Sequence, residues 1–249
     1  MLSVRHPLRR MIGIPLLIGM LLTGALWGTP PPPSSPAPPL RWAEGAPGCT
    51  FSQSDDGRYR YGLWADDFGV TLAVDAQELE KARRRVESFF AVFLSARYRG
   101  KDSLDLRRED VGLEFVKHYH EVQSSMDPAE LASRLQNDAT ALTAKAQREM
   151  QAHPEKKNEA EAALHELQKD IAGMLEFLPK NSLRTVTLTP DSPEATGWVF
   201  FDTKSKWIGD WKKQEDFVLR VPLGKRVVEF PFTLPPSQGD FILRRRPEN

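Results

Sequence analysis

The sequence contains one cysteine in 249 residues and carries no net charge. A single thiol cannot form an internal disulfide, so the folded part must be stabilised by a hydrophobic core. The 34 basic residues balance the 34 acidic ones, and no clustered basic face of the kind that binds nucleic acid is evident. We therefore expect no nucleic-acid partner, and we interpret Cys49, in the small-residue context GAPGCT, as a bystander thiol.

Catalytic motifs are equally scarce. The chain has no G-x-S-x-G nucleophile motif, no Walker loop and no Rossmann glycine pattern. The acidic pairs Asp55-Asp56 and Asp66-Asp67 supply too few oxygens for calcium and are typical of turns. These absences predict a protein that is not an enzyme and that carries no cofactor.

Long apolar runs are absent too, except near the start. Residues 11–27 contain no charged side chain and follow Arg5, Arg9 and Arg10. This run is slightly shorter than the roughly 20 residues that span a bilayer comfortably. Because the arginines lie only on its N-terminal side, that end is expected to stay in the cytoplasm. Residues 1–28 are therefore interpreted as a transmembrane anchor or as a signal peptide that is cleaved.

A proline-rich segment follows the apolar run. Residues 29–40 read TPPPPSSPAPPL, and an extended polyproline II conformation at about 3.1 Å per residue would hold a domain some 35 Å from the bilayer. We interpret residues 29–48 as a disordered linker. The segments together predict a protein anchored in the inner membrane, with its body on the periplasmic side. Secretion after signal cleavage is the alternative.

Much of the remaining chain has the period-two pattern of β-strands. Tyr59, Tyr61 and Leu63 alternate with polar residues, whereas residues 89–98 are apolar on both faces of one long strand. Further strand signals occur at 111–115, 186–188, 198–201, 217–221, 227–232 and 241–243. Eight to ten short strands at regular spacing predict an antiparallel, Ig-like β-sandwich over residues 49–249.

The period changes to that of a helix after Met126. Asp127 is expected to cap a helix whose first residue is Pro128, with Glu130 three residues after the cap. Apolar residues then recur every three or four positions on both sides of a break at His153-Pro154. The pattern predicts an antiparallel two-helix coiled-coil hairpin, inserted into the sandwich at residues 127–179.

The strand segments carry a resemblance. The run from Val70 to Phe115, the later GWVFF, and the closing FVLRVPLG and VVEFPFTLP resemble uncharacterised exported or membrane-anchored bacterial proteins with an Ig-like domain. The resemblance implies the sandwich fold and implies no particular activity.

One group of residues has the composition of a metal site. If the strand beginning at Val111 continued, Glu114, His118 and His120 would share the face opposite Leu113 and Phe115. Two histidines and a carboxylate are a common set of three ligands for zinc. The alternative interpretation is a solvated strand face that runs into a loop.

A second group has the composition of a binding surface. The segment from 198 to 213 contains Trp207 and Trp211 together with Lys206 and Lys212. Tryptophans flanked by cations can stack on sugars or sit at a lipid interface. We name these four residues as candidate ligand-binding residues.

The sequence thus predicts a non-enzymatic, membrane-tethered protein of the cell envelope. It would act as a binding or scaffolding module through its sandwich or its helical hairpin, with another envelope protein as the expected partner. The alternatives are an exported metal-dependent hydrolase and a module that binds carbohydrate or peptidoglycan.

Overall fold

The structure, a computed structural model, describes residues 38–53, 58–75, 89–202 and 215–234. These residues form a mixed α/β fold of two β-sheets with an inserted two-helix hairpin. The predicted anchor or signal peptide, most of the predicted linker, and the strand expected at 241–243 lie outside the described residues.

Twelve strands and two long helices lie in the described ranges. The strands are β1 (Leu40–Arg41), β2 (Cys49–Gln53), β3 (Arg58–Trp64), β4 (Phe68–Asp75), β5 (Phe89–Tyr98), β6 (Leu104–Leu106), β7 (Gly112–Phe115), β8 (Glu121–Ser124), β9 (Val186–Leu188), β10 (Glu194–Asp202), β11 (Glu215–Leu223) and β12 (Arg226–Leu234). The helices α1 (Pro128–Ala152) and α2 (Lys157–Asn181) come between β8 and β9 and are called the arm below. The two sheets are called the body.

The five-stranded sheet has the order β10-β5-β4-β3-β2 and is antiparallel throughout. In the seven-stranded sheet, β1, β12 and β11 are neighbours. The other side of β11 pairs with β6 at one end and with β7 at the other, and these two strands pair in turn with β9 and β8. The two sheets therefore agree with the predicted strand-rich body.

The prediction of a purely antiparallel body is wrong at one strand. β1 runs parallel to β12, with Leu40 opposite Val228 and Arg41 opposite Glu229. The next residue, Trp42, donates its amide to the carbonyl of Glu229 and is 9% exposed. Burial of this indole against the ring of Tyr61, at 5.0 Å, explains why the chain pairs here. The folded part thus includes residues that the sequence pattern assigns to the linker.

A single aromatic-rich core lies between the two sheets. Phe90 of the five-stranded sheet stacks on Phe217 of the seven-stranded sheet with ring centroids 5.5 Å apart, and Phe232 lies 5.2 Å from Phe217. Inward residues of both sheets belong to this one hydrophobic cluster. Strand alternation produces it, because every second residue points inward.

β5 is buried on both faces, as its sequence predicts. Phe90, Val92 and Leu94 face the core between the sheets. Phe89 and Ala91 face the other way and pack in a second cluster that includes Leu131, Leu135 and Leu178 of the arm. The arm therefore covers part of the outer face of the five-stranded sheet.

The predicted start of the arm is confirmed. A carboxylate oxygen of Asp127 accepts a hydrogen bond from the amide of Ala129 at 2.7 Å, and Pro128 is the first helical residue. This backbone bond, with a smaller effect of Arg108, lowers the pKa of Asp127. A short 3-10 turn at Pro154–Lys156 separates the helices, at the predicted break. The hairpin insertion matches its predicted extent to within about two residues.

Candidate functional site

The three predicted metal ligands do not share a strand face. β7 ends at Phe115, and the chain then reverses into β8 instead of continuing. Tyr119 and His120 make the reversal with φ angles of 57° and 56°, in the left-handed region that residues other than glycine seldom adopt. This turn separates His118 from His120, so the alternation on which the prediction rests breaks down.

Each histidine contacts a different carboxylate. His120 Nδ1 lies 2.5 Å from Glu114 Oε1, whereas His118 Nε2 lies 3.4 Å from Glu215 Oε2. Among the described residues, no group of three or more His, Cys, Asp or Glu side chains is placed to hold a metal ion. The structure therefore brings together two of the three predicted ligands and places the third elsewhere.

Glu114 instead belongs to a row of alternating charges across the seven-stranded sheet. Its Oε2 accepts from Arg220 Nη2 at 2.5 Å. Arg220 Nε also contacts Glu229 Oε1 at 3.0 Å, and the other oxygen of Glu229 contacts Arg41 at 2.6 Å. The side chains of Glu114 and Glu229 are 7% and 10% exposed. Carboxylates this deeply buried must be paired, and this row pairs both of them.

The row of charges gives the Glu114 region a structural explanation. It links the β11–β12 hairpin to β7 and to β1, which are far from the hairpin in sequence. The sequence provided no signal for it, because the pairing depends on strand order rather than on local spacing. Each of the four strands contributes one charged residue to the row, and one charged residue in a strand does not by itself indicate an ion pair.

The four candidate ligand-binding residues, Trp207, Trp211, Lys206 and Lys212, lie outside the described residues. The residues on either side of their segment are described. Asp202, at the end of β10, makes an ion pair with Arg134 of α1 at 3.0 Å. Glu215, at the start of β11, contacts His118. The prediction for these four residues stays a prediction.

Apolar side chains and ion pairs both attach the base of the arm to the body. Leu131 and Leu135 of α1 and Leu178 of α2 are buried against β5 and β10. Arg134 makes ion pairs with both Asp202 and Glu130. Its hydrogen bonds to these carboxylates raise the pKa of Arg134, and the bond to Asp202 has the larger effect.

Arg108, which lies in the turn between β6 and β7, fixes the start of the arm. Its Nη2 contacts Asp127, the cap of α1, at 3.0 Å. Its amide donates to Thr185, which follows α2, at 3.1 Å. Thr185 in turn donates to Glu109, and this bond is the main reason why the pKa of Glu109 falls to about 2. One turn of the body thus contacts both chain segments that enter and leave the arm.

Main-chain hydrogen bonds complete this attachment. The amide of Met126 donates to the carbonyl of Phe200 at 2.7 Å, and the amide of Leu183 donates to that of Trp198 at 2.9 Å. The chain leaving α2 passes so close to Gly197 that a Cβ there would lie 2.4 Å from the backbone nitrogen of Leu183. The exit of the arm therefore requires glycine at this position.

A groove of about 570 Å³ lies beside the base of the arm. Leu175, Leu178 and Leu183 form much of its apolar wall, and Arg108 and Asp127 are among its polar residues. These two polar groups already bond to each other. The groove is thus part of the attachment of the arm.

Beyond the base, the arm has no buried residue. Every residue from 136 to 177 is partly or fully exposed. The apolar residues where the helices meet, such as Leu142, Leu164 and Ile171, are half-buried. The outer faces carry i,i+4 ion pairs, including Lys157 with Glu161 and Lys180 with Glu176, each of which adds only a few tenths of a kcal/mol.

Comparison of the chain with protein-family models, with curated proteins and with solved structures finds no match in any of the three. The resemblance to exported proteins with an Ig-like domain therefore stays a prediction. None of the helices within the described ranges is both long enough and apolar enough to cross a membrane.

Proposed function

We propose that this chain is a non-enzymatic protein of the cell envelope that presents its arm to a protein partner. Its N-terminal segment tethers it to the inner membrane, and its body, an Ig-like sandwich, lies on the periplasmic side. The tether and the location rest on the sequence pattern of residues 1–48. The observation that carries the binding role is the contrast between the firmly attached base of the arm and its uncovered distal part.

The attachment of the base supports a presenting role. Leu131, Leu135 and Leu178 are buried on the sheet, while Arg108 and Arg134 pair with Asp127 and Asp202. The buried leucines and the two ion pairs hold the helical pair at several separate points, and this fixes its direction. A helical pair held in this way extends an accessible surface without being needed to fill the core.

The points at which β1 enters the body and the arm is attached to it also support the presenting role. The ion pair between Arg226 and Asp67 places the β11–β12 turn and the β3–β4 turn at the same end of the body. β1 enters beside that end, because it pairs with Val228 near the start of β12. The arm is attached near Asp202, at the opposite end of β10. The point where β1 enters the body and the point where the arm is attached thus lie at opposite ends of the body.

Site-directed photocrosslinking in cells tests the role of the arm. A photoreactive residue replaces Gln151, which is exposed at the far end of α1, and in a matched variant it replaces Lys225, which is exposed in the β11–β12 turn. We expect a discrete adduct of defined mass from position 151 and none from position 225. Adducts from position 225 alone, or from neither position, would contradict the proposal.

Fractionation tests the tether separately. The full-length chain is expected in the membrane fraction after a high-salt wash, and its body is expected to be digested by protease added to spheroplasts. Recovery of the chain in the cytosol, protected from protease, would contradict the proposed location whatever the crosslinking result.

A further inference from the structure

The outer face of the five-stranded sheet, on the side that the arm leaves uncovered, carries four arginines. Arg58 and Arg60 lie two residues apart on β3, and Arg97 lies on β5. Arg99 follows β5 directly, with its guanidinium carbon 5.1 Å from the ring centroid of Trp64 on the same face. Arg60, Arg97 and Arg99 are exposed.

Acidic groups offset part of this charge, since Arg58 is the cross-strand neighbour of Asp75 on β4. Arg97 Nε contacts Glu194 Oε1 at 3.1 Å, and both side chains are more than half exposed. Arg58 and Arg99 lie over the rings of Trp198 and Trp64. Arg60 makes no ion pair with any residue of the described ranges. Arg60 and Arg99 therefore give this face positive charge that a ligand can meet.

Strand register places a row of small residues between the arginines. Gly62, Thr71, Ser95 and Thr196 are direct cross-strand neighbours. The hydroxyls of Thr71, Ser95 and Thr196 make no hydrogen bond within the described part of the chain. Thr50 of β2 lies beside Gly62 and extends the row to five strands. At about 4.8 Å between neighbouring strands, the row is about 19 Å long. We call this row and its flanking arginines the arginine trough.

The sides of the trough are set by the neighbouring rows. One side holds Trp64, Gly69 and Arg97, which are cross-strand neighbours. The Trp64 ring covers Gly69, since a Cβ there would lie 2.1 Å from the ring. The other side holds Arg60 and Phe93, with Trp198 next to Phe93 at 5.6 Å between ring centroids.

The chemistry of the trough selects among anionic ligands. Guanidinium groups bind carboxylates through paired hydrogen bonds, and unpartnered hydroxyls suit a ligand rich in hydroxyl groups. Trp64 lies between Gly69 and the guanidinium of Arg99. Arg99 thus covers part of the ring on which a base of a single-stranded nucleic acid would otherwise stack.

From these observations we propose that the arginine trough binds an extended, carboxylate-bearing polysaccharide. The carboxylates contact Arg60, Arg97 and Arg99, and the sugar hydroxyls contact Thr71, Ser95 and Thr196. This site is separate from the far end of the arm. The proposal holds whether or not the arm binds a protein.

Binding of polygalacturonate to the purified full-length chain tests the proposal. Arg60→Glu is the test variant, and Arg184→Glu is the matched control, because Arg184 is also exposed but lies beside the end of α2. We expect the wild-type chain to bind the polymer, Arg60→Glu to bind at least about tenfold more weakly, and Arg184→Glu to bind as the wild type does. Neutral dextran should not compete, and added salt should weaken binding.

Several outcomes would overturn the proposal. They are absence of binding by the wild-type chain, an equal loss in both variants, competition by neutral dextran, or tighter binding of oligothymidylate than of polygalacturonate. Unchanged thermal unfolding of Arg60→Glu establishes that a loss of binding reflects the trough. Should this variant be unstable, Thr196→Lys serves as a second variant. Its exposed side chain lies in the row itself, and the added cation is expected to tighten binding.

Discussion

Apolar side chains are covered to very different extents in the body and in the arm. In the body, Phe90, Phe217 and Phe232 stack between two sheets, and none of them is more than 5% exposed. In the arm, Leu142 and Leu164 remain half-exposed where the helices meet. A pair of helices has no third layer to cover it, whereas two sheets cover each other. The body thus supplies the stability, and the arm supplies accessible surface.

The largest expected effect is a cavity in the body. Phe217→Ala removes a ring that contacts Phe90, Phe115 and Phe232. We expect the free energy of unfolding to fall by about 3–5 kcal/mol, as for other buried phenylalanines. Denaturant unfolding followed by tryptophan fluorescence measures it. A loss below about 1 kcal/mol would mean that the core between the sheets is not the main source of stability.

A smaller effect is expected where the body meets the arm. Gly197→Ala forces a Cβ against the backbone of Leu183 and Ser182, and we expect a loss of about 1–3 kcal/mol. Gly173→Ala is the matched control, because a Cβ at this position in α2 meets nothing within 4 Å. There we expect a gain of about 0.5–1 kcal/mol in helix stability. Thermal unfolding followed by circular dichroism compares the two, and equal effects would contradict the close passage at Gly197.

A truncation within the arm should cost less than the same kind of change in the body. Leu164→Ala removes a half-exposed side chain from α2, and the expected loss is roughly 1 kcal/mol, confined to the helices. The helical signal should melt earlier while the fluorescence transition of the body stays in place. A body transition that shifts as far as it does in Phe217→Ala would show that the two regions unfold as one unit.

The smallest effect is a pH dependence in the body. Arg226 donates two hydrogen bonds to Asp67 at 2.7 Å, and these bonds lower the pKa of Asp67. The charged carboxylate is thus favoured in the folded state, so the pair stabilises the fold above the unfolded pKa near 3.9 and loses this effect as the pH falls further. Because Asp67 is 38% exposed, we expect no more than about 1 kcal/mol.

Asp67→Asn measures that contribution. The difference in unfolding free energy between the wild type and the variant should be constant from pH 6 to 8 and should shrink below about pH 4. This ion pair joins the two sheets of the body and lies outside the arm. A difference that grows as the pH falls would contradict the assigned direction of the pKa shift.

Local signals in the sequence were sufficient to predict the arm and most strands. Asp127 and Pro128 mark the start of α1 by themselves, and the apolar residues on both faces of β5 indicate that it is covered on two sides. Signals of this kind act within a few residues, so no knowledge of the tertiary structure is needed.

Features that depend on strand order could not be predicted in this way. Glu114, His118 and His120 do not share the predicted strand face because the left-handed residues Tyr119 and His120 turn the chain, and Tyr119 is not a typical residue for that conformation. The contact of Arg220 with Glu114, and the row from Gly62 to Thr196, depend on which strands are neighbours. Spacing along the chain carries no information about that order.

Hydrogen exchange of the full-length chain tests most directly whether the arm is an extension held only at its base. We expect amides of β5 and β11 to exchange only through global unfolding, residues 128–135 and 171–183 to be intermediate because they pack on the sheet, and residues 136–170 to exchange with little protection. Protection across residues 136–170 equal to that of β5 would contradict this expectation.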